Sequence, residues 1–318
     1  MNLFKKMFAT TPHDSLEEKK QQEEKNFNIL KHDGIAALQQ QKFDYAVKCF
    51  ESSLQIHDDL EVRDYLSQAL IRTNRLDEAF EQLKALAEAQ PSNVEICLRM
   101  ADVSYMQEDY EEMGQICVKA RDLAPNDPRV SYTSARAFAG QGNGVMAIAM
   151  LTKAIKDAEK SVSSQSEGET PAEEAPRAKV QVPFFAAYLL RGETLLKMGD
   201  TDSAMVDADF LLQHLPQQED VLLFKARCVA AKGQHEEAEK LFSQIINLNP
   251  FCVEAFRGRG ASRLALDKRK EAAEDARQVL ELSPEEAKVN GDFNVEGKEN
   301  MEEILAKLKA KREANLKK

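Results

Sequence analysis

Tryptophan is absent from this chain of 318 residues, and proline (10) and glycine (13) are sparse. With so few helix breakers and few β-branched runs, the composition favours helix over sheet. Basic residues (43) are outnumbered by acidic ones (54), for a net charge of −11. That balance leaves no basic face for phosphate and argues against nucleic acid as a partner. The five cysteines, at 49, 97, 117, 228 and 252, form no CxxC and no metal-like spacing. They read as core thiols in a reducing, cytoplasmic setting. HExxH, GxxxxGK[ST] and GxSxG are also missing, so neither an enzyme nor a cofactor site is expected. Gly140–Gly144 lacks the Lys-Ser/Thr of a phosphate loop and reads as a turn, and His57-Asp58-Asp59 reads as a solvated loop.

What the chain does have is repetition, at a period of about 34 residues. One column of small residues runs Ala46, Ala79, Met113, Ala147, Ala204, Ala238, Ala272. A second runs Gly34, Ser67, Ala101, Ala135, Gly192, Ala226, Gly260. A third closes each unit: Asp58, Pro91, Pro125, Glu159, Pro216, Pro250, Pro284. All three share the spacings 33, 34, 34, 57, 34 and 34. Small residues in both helices of a unit let the backbones approach, while Phe50, Leu83, Leu151 and Phe242 fill the space between units. Proline stops the second helix and redirects the chain.

These columns resemble the tetratricopeptide repeat family, most plainly in Gly34…Ala46…Phe50, Gly192…Ala204…Pro216 and Ala226…Ala238…Phe242…Pro250. The resemblance implies an all-α, right-handed helix-turn-helix solenoid of seven repeats. Residues 1–26 form a charged segment. Leu3, Phe4, Met7 and Phe8 are interrupted by Lys5 and Lys6, so no signal peptide is read. A frayed end is the plain expectation and a short amphipathic anchor the sharper one, with membrane association not expected. Repeats 1–4 occupy 27–160, an acidic, flexible linker or insertion 161–184, and repeats 5–7 residues 185–286. Residues 287–318 carry a capping helix with Met301, Ile304, Leu305 and Leu308 on one stripe.

In the resembled family the first helices line an inner groove where partners dock. The register places Tyr65, Arg72, Arg99, Tyr105, Arg129, Tyr132 and Arg136 there, with Met106, Arg227 and Arg257 beside them. Arginine and tyrosine are enriched at binding hot spots, and arginine pairs carboxylates. A protein or peptide partner with acidic groups or a C-terminal carboxylate is the expectation. The alternative is that these arginines pair with the chain's own Asp64, Glu95 and Asp102. The chaperone-carboxylate clamp of some family members is not matched, because Ile35, Tyr65 and Glu95 depart from it while Lys31 and Arg99 fit. The function expected is a scaffold or adaptor; the second reading is an accessory subunit of an enzyme or assembly.

Overall fold

The computed structural model describes residues 12–166 and 182–283, with side chains for 17–161 and 185–283. Among the described residues every regular element is an α-helix, and the fourteen helices fall into seven pairs. Two compact units divide the chain at Ala175/Pro176. The first holds α1 (Pro12–Gln39) with α2 (Phe43–Ile56), α3 (Leu60–Arg72) with α4 (Leu76–Ala89), α5 (Val94–Met106) with α6 (Tyr110–Leu123), and α7 (Pro128–Gly140) with α8 (Gly144–Ser166). The second holds α9 (Val182–Lys197) with α10 (Thr201–His214), α11 (Glu219–Ala231) with α12 (His235–Leu248), and α13 (Val253–Ala265) with α14 (Arg269–Leu282). Within each unit every helix packs on its chain neighbours. First helices of successive pairs also touch: α1 on α3, α5 on α7, α9 on α11 and α11 on α13. Each pair buries its apolar stripe only against its neighbours, the mark of a solenoid.

The small columns sit where the helices of a pair cross. Ala46, Ala79, Ala147, Ala204 and Ala238 are fully buried, and so is Met113. Phe50, Leu83, Leu151 and Phe242 are the buried knobs between them. A Cβ on Gly34 would lie 2.5 Å from Cε1 of Phe50, and one on Gly258 would overlap the Phe242 ring. Leucine at Ala238 has no room, so Ala238→Leu is expected to destabilise the second unit by about 1–3 kcal/mol. A thermal melt unchanged within a degree would refute the close crossing.

Helix ends follow the third column. The C-caps Gln90, Ala124, Leu215, Asn249 and Ser283 have φ between −131° and −140°. Each precedes a proline, which disfavours helical backbone at the residue before it. Repeat 4 has Glu159 instead, and α8 runs on to Ser166. Helix therefore occupies 161–166 and, from α9, 182–184, where a linker was expected; residues 167–181 lie outside the described region. The expected capping helix of 287–318 and the N-terminal residues 1–11 lie outside it too. The charged stretch from Pro12 is continuous with the first helix of repeat 1 as α1, and residues 17–26 of it are exposed.

The turn inside each pair holds a column that residue types alone do not reveal. Gln41, Asn74, Glu108, Gly142, Gly199, Gly233 and Asp267 all have φ between 58° and 85°. After each comes an N–H that reaches back five residues, as in Lys42 to Ala37 (2.9 Å) and Asp109 to Ser104 (2.9 Å). This is the Schellman closure, which satisfies the carbonyls left over at a helix end. Gly140–Gly144 is one of these turns, with Gly142 at φ 76°. A left-handed non-glycine residue costs about 1–2 kcal/mol, of which glycine gives back part as chain entropy. Glu108→Gly is therefore expected to stabilise by about 0.5–1 kcal/mol; a lower urea midpoint would contradict this.

Candidate functional site

The first helices of the first unit carry the expected residues, and ion pairs link each helix to the next. Arg99 on α5 meets Asp64 on α3 and donates to Ser67 Oγ at 2.5 Å. Arg129 on α7 meets Glu95 on α5 at 2.8 Å and its own cap residue Asp127 at 2.9 Å. Arg136 on α7 meets Asp102 on α5 at 2.6 Å. Lys31 on α1 reaches Glu61 on α3 at 2.6 Å and the cap residue Asp59 at 3.4 Å. The Glu95–Arg129 and Asp102–Arg136 pairs are each 34 residues apart, one repeat. Equivalent positions on stacked helices are neighbours in space, so a sign change between repeats becomes a rung. In the second unit Glu193 and Arg227 form a rung of the same spacing, at 3.3 Å.

The rings divide differently. Arg136 lies over Tyr105 at 3.9 Å and near Tyr132 at 6.0 Å, which joins three expected residues and Asp102 in one cluster across α5 and α7. Tyr105 also meets Tyr110 edge-on at 5.8 Å and stays exposed, as does Met106 beside it. Burial pushes the Tyr132 phenol up. Carboxylates hold the Arg129 guanidinium, already always charged, still higher, Asp127 first and Glu95 after it. Tyr65 is half-buried and stacked on Phe50 at 5.8 Å, so much of its ring serves packing. Arg72 stands apart. It is the last residue of α3 and lies over Phe43 at 5.6 Å, beside a cleft of about 460 Å³ lined by residues 41–45 and Thr73. Among the described residues no carboxylate pairs with it.

Some groups carry no chemistry here. Asp59 caps α3 by accepting from Val62 N–H, and Asp58 pairs with Arg63, which accounts for two members of the His57-Asp58-Asp59 run. All five cysteines are buried and free. Burial raises Cys117 and Cys228 to about 11, leaving them as thiols at neutral pH. Among the described residues no group of His, Cys, Asp and Glu has the makings of a metal site. No described helix is long and apolar enough to cross a membrane.

The sequence reading does not single out the buried carboxylates Asp157, Asp207 and Asp275, of which the last two are the most closed off, at 2 and 1% exposure. Asp207 accepts from Arg191 Nε and Nη2 at 2.9 and 2.6 Å, and Asp275 accepts from Arg259 Nε and Nη2. The signal was present. Arg191 and Arg259 stand two repeats apart, as do Asp207 and Asp275, and the aspartates replace Ile116, Met150 and Leu241 of other repeats.

Tetratricopeptide repeat family models match residues 34–94 and 230–287 in one form and 195–258 in another. The TPR repeat-containing protein YpiA of Bacillus subtilis (strain 168) is 23% identical over an alignment of 245 residues, and the match covers 72% of this chain. The chain spans 58% of that relative's length. The crystal structure of a tetratricopeptide repeat protein from Parabacteroides merdae is similar with a TM-score of 0.62 at 12% identity, covering 86% of this chain and 95% of that one. For pilF of Pseudomonas aeruginosa the values are 0.52, 16%, 73% and 96%. At these identities the structural likeness is one of fold.

Proposed function

Because this chain belongs to the tetratricopeptide repeat family, we propose that it is a non-catalytic scaffold holding a protein or peptide segment against the first-helix face of its first unit. The observation that carries this reading is the cluster of Tyr105, Tyr132, Arg136 and Asp102, with Met106 exposed beside it. Exposed tyrosine gives contact area at low cost in order, methionine adds adaptable apolar surface, and an arginine already fixed over a ring needs no further ordering. A partner offering carboxylates, as the residue types suggest, would have to displace Asp64, Glu95 or Asp102 from the arginines, Arg72 excepted. The face itself stands independently of the partner's charge.

The test uses a partner identified by co-purification with the full chain. Tyr105→Ala combined with Met106→Ala changes no charge and removes two exposed side chains. Partner affinity should fall at least about tenfold, which is about 1.4 kcal/mol, with little change in the melting temperature. Unchanged affinity would remove this face from the reading.

A further inference from the structure

The rungs of the first unit are lopsided, and the lopsidedness bears on the partner's charge. In the three rungs joined by Lys31, Arg99 and Arg136 the base is the covered member, at 15, 23 and 21% exposure of its side chain. Their carboxylates Glu61, Asp64 and Asp102 remain 59, 36 and 57% exposed, and in the fourth rung both members are open, Arg129 at 47% and Glu95 at 59%. The cause is the shape of the side chains. The long bases meet rings, Arg136 over Tyr105 at 3.9 Å and Lys31 near the Phe27 ring at 5.8 Å. Their apolar stems are covered while the short acids stand at the rim.

The donors and acceptors are spent unevenly as well. Arg129 uses Nε, Nη1 and Nη2 on Asp127 and Glu95, and Arg99 uses both terminal nitrogens. Glu61, Glu95 and Asp102 each accept through one oxygen, and the second oxygen of each accepts nothing among the described residues. A carboxylate has lone pairs for about four hydrogen bonds. Six carboxylates meet four bases in these rungs, a surplus of two negative charges that Arg72 of α3, unpaired among the described residues, reduces to one.

Resting on the face proposed above, we infer that its occupant is a basic segment of a partner protein, with lysine or arginine side chains directed at Glu61, Glu95 and Asp102. Like charge disfavours an acidic segment, which must also break an existing rung to reach any arginine of the face but Arg72. The exposed setting makes the attraction salt-sensitive and faster in association than an uncharged contact.

The experiment titrates the full chain with two fluorescein-labelled peptides of equal length and equal apolar content, one bearing lysines and the other glutamates at the same places. The lysine peptide should bind and the glutamate peptide should not. Glu95→Gln with Asp102→Asn should weaken the lysine peptide about tenfold. Glu81→Gln with Glu88→Gln, on the exposed side of α4, should leave it unchanged. Arg99→Ala with Arg136→Ala frees two carboxylates and should tighten it. Equal losses from the two carboxylate pairs would mean general attraction to an acidic chain and would overturn the inference. Binding of the glutamate peptide, or of neither peptide, overturns it as well. The face reading is judged separately by the charge-neutral Tyr105 and Met106 variant.

Discussion

Asp275→Ala is expected to cost about 3–5 kcal/mol, the range for breaking a buried ion pair by removing one partner. The carboxylate is almost fully buried between α13 and α14 and accepts from Arg259 and Arg263. Without it Arg259 keeps a hydrogen bond to Ser243 and the Phe256 ring at 5.4 Å but no carboxylate among the described residues, while Arg263 retains Glu239 at 2.9 Å. The loss should fall first on α13 and α14, because in a stacked array each pair is held only by its neighbours. Urea unfolding with hydrogen exchange on these helices measures it, and a cost below about 1 kcal/mol would place the pair among the exposed kind. Replacing Arg259 and Asp275 together by leucine should recover much of the loss, since the desolvation cost of both charges disappears. The same network predicts acid sensitivity. Lys268 first and Arg263 second hold Glu239 below the usual carboxylate range. Its contribution is therefore complete above the unfolded value and is lost as pH falls through the lowered folded one.

Phe224→Ala should be comparably severe, about 3–5 kcal/mol for an aromatic ring lost from a closed core. Phe224 on α11 is fully buried, and its ring occupies the space where Gly192 of α9 has no side chain. A Cβ on Gly192 would overlap the ring, so Gly192→Ala alone should cost about 1–3 kcal/mol. In a Phe224→Leu background the same alanine should cost far less, because the smaller side chain vacates that space. A double-mutant cycle read by thermal melting decides it. Additive costs would show that the ring and the glycine do not share one volume.

The sequence by itself determined the architecture. Small residues at Ala46, Ala79, Ala204 and Ala238 are required wherever two helices cross closely, and proline after Gln90 or Leu215 forbids further helix. Constraints of this kind act within one unit and leave a residue type at a fixed column. The residues proposed for the face come from the same register, in which Tyr65 and Arg99 share one column and Tyr132 and Arg136 lie on the next first helix. The arginines' acids could be named as candidates from proximity, but not which side chain of each rung would be covered. That depends on the ring or wall each long side chain meets on the next helix, 34 residues away for Arg136 and Asp102. The left-handed column at 41, 74, 108 and 267 was hidden because Gln, Asn, Glu and Asp all tolerate it when seven turns are closed alike by packing. Asp207 and Asp275 were hidden because a carboxylate at a core position is stable only once the fold brings an arginine to it. Local sterics wrote the repeat into the sequence; which side chain of the Lys31, Arg99 and Arg136 pairs is covered was decided only by the stacking of one repeat on the next.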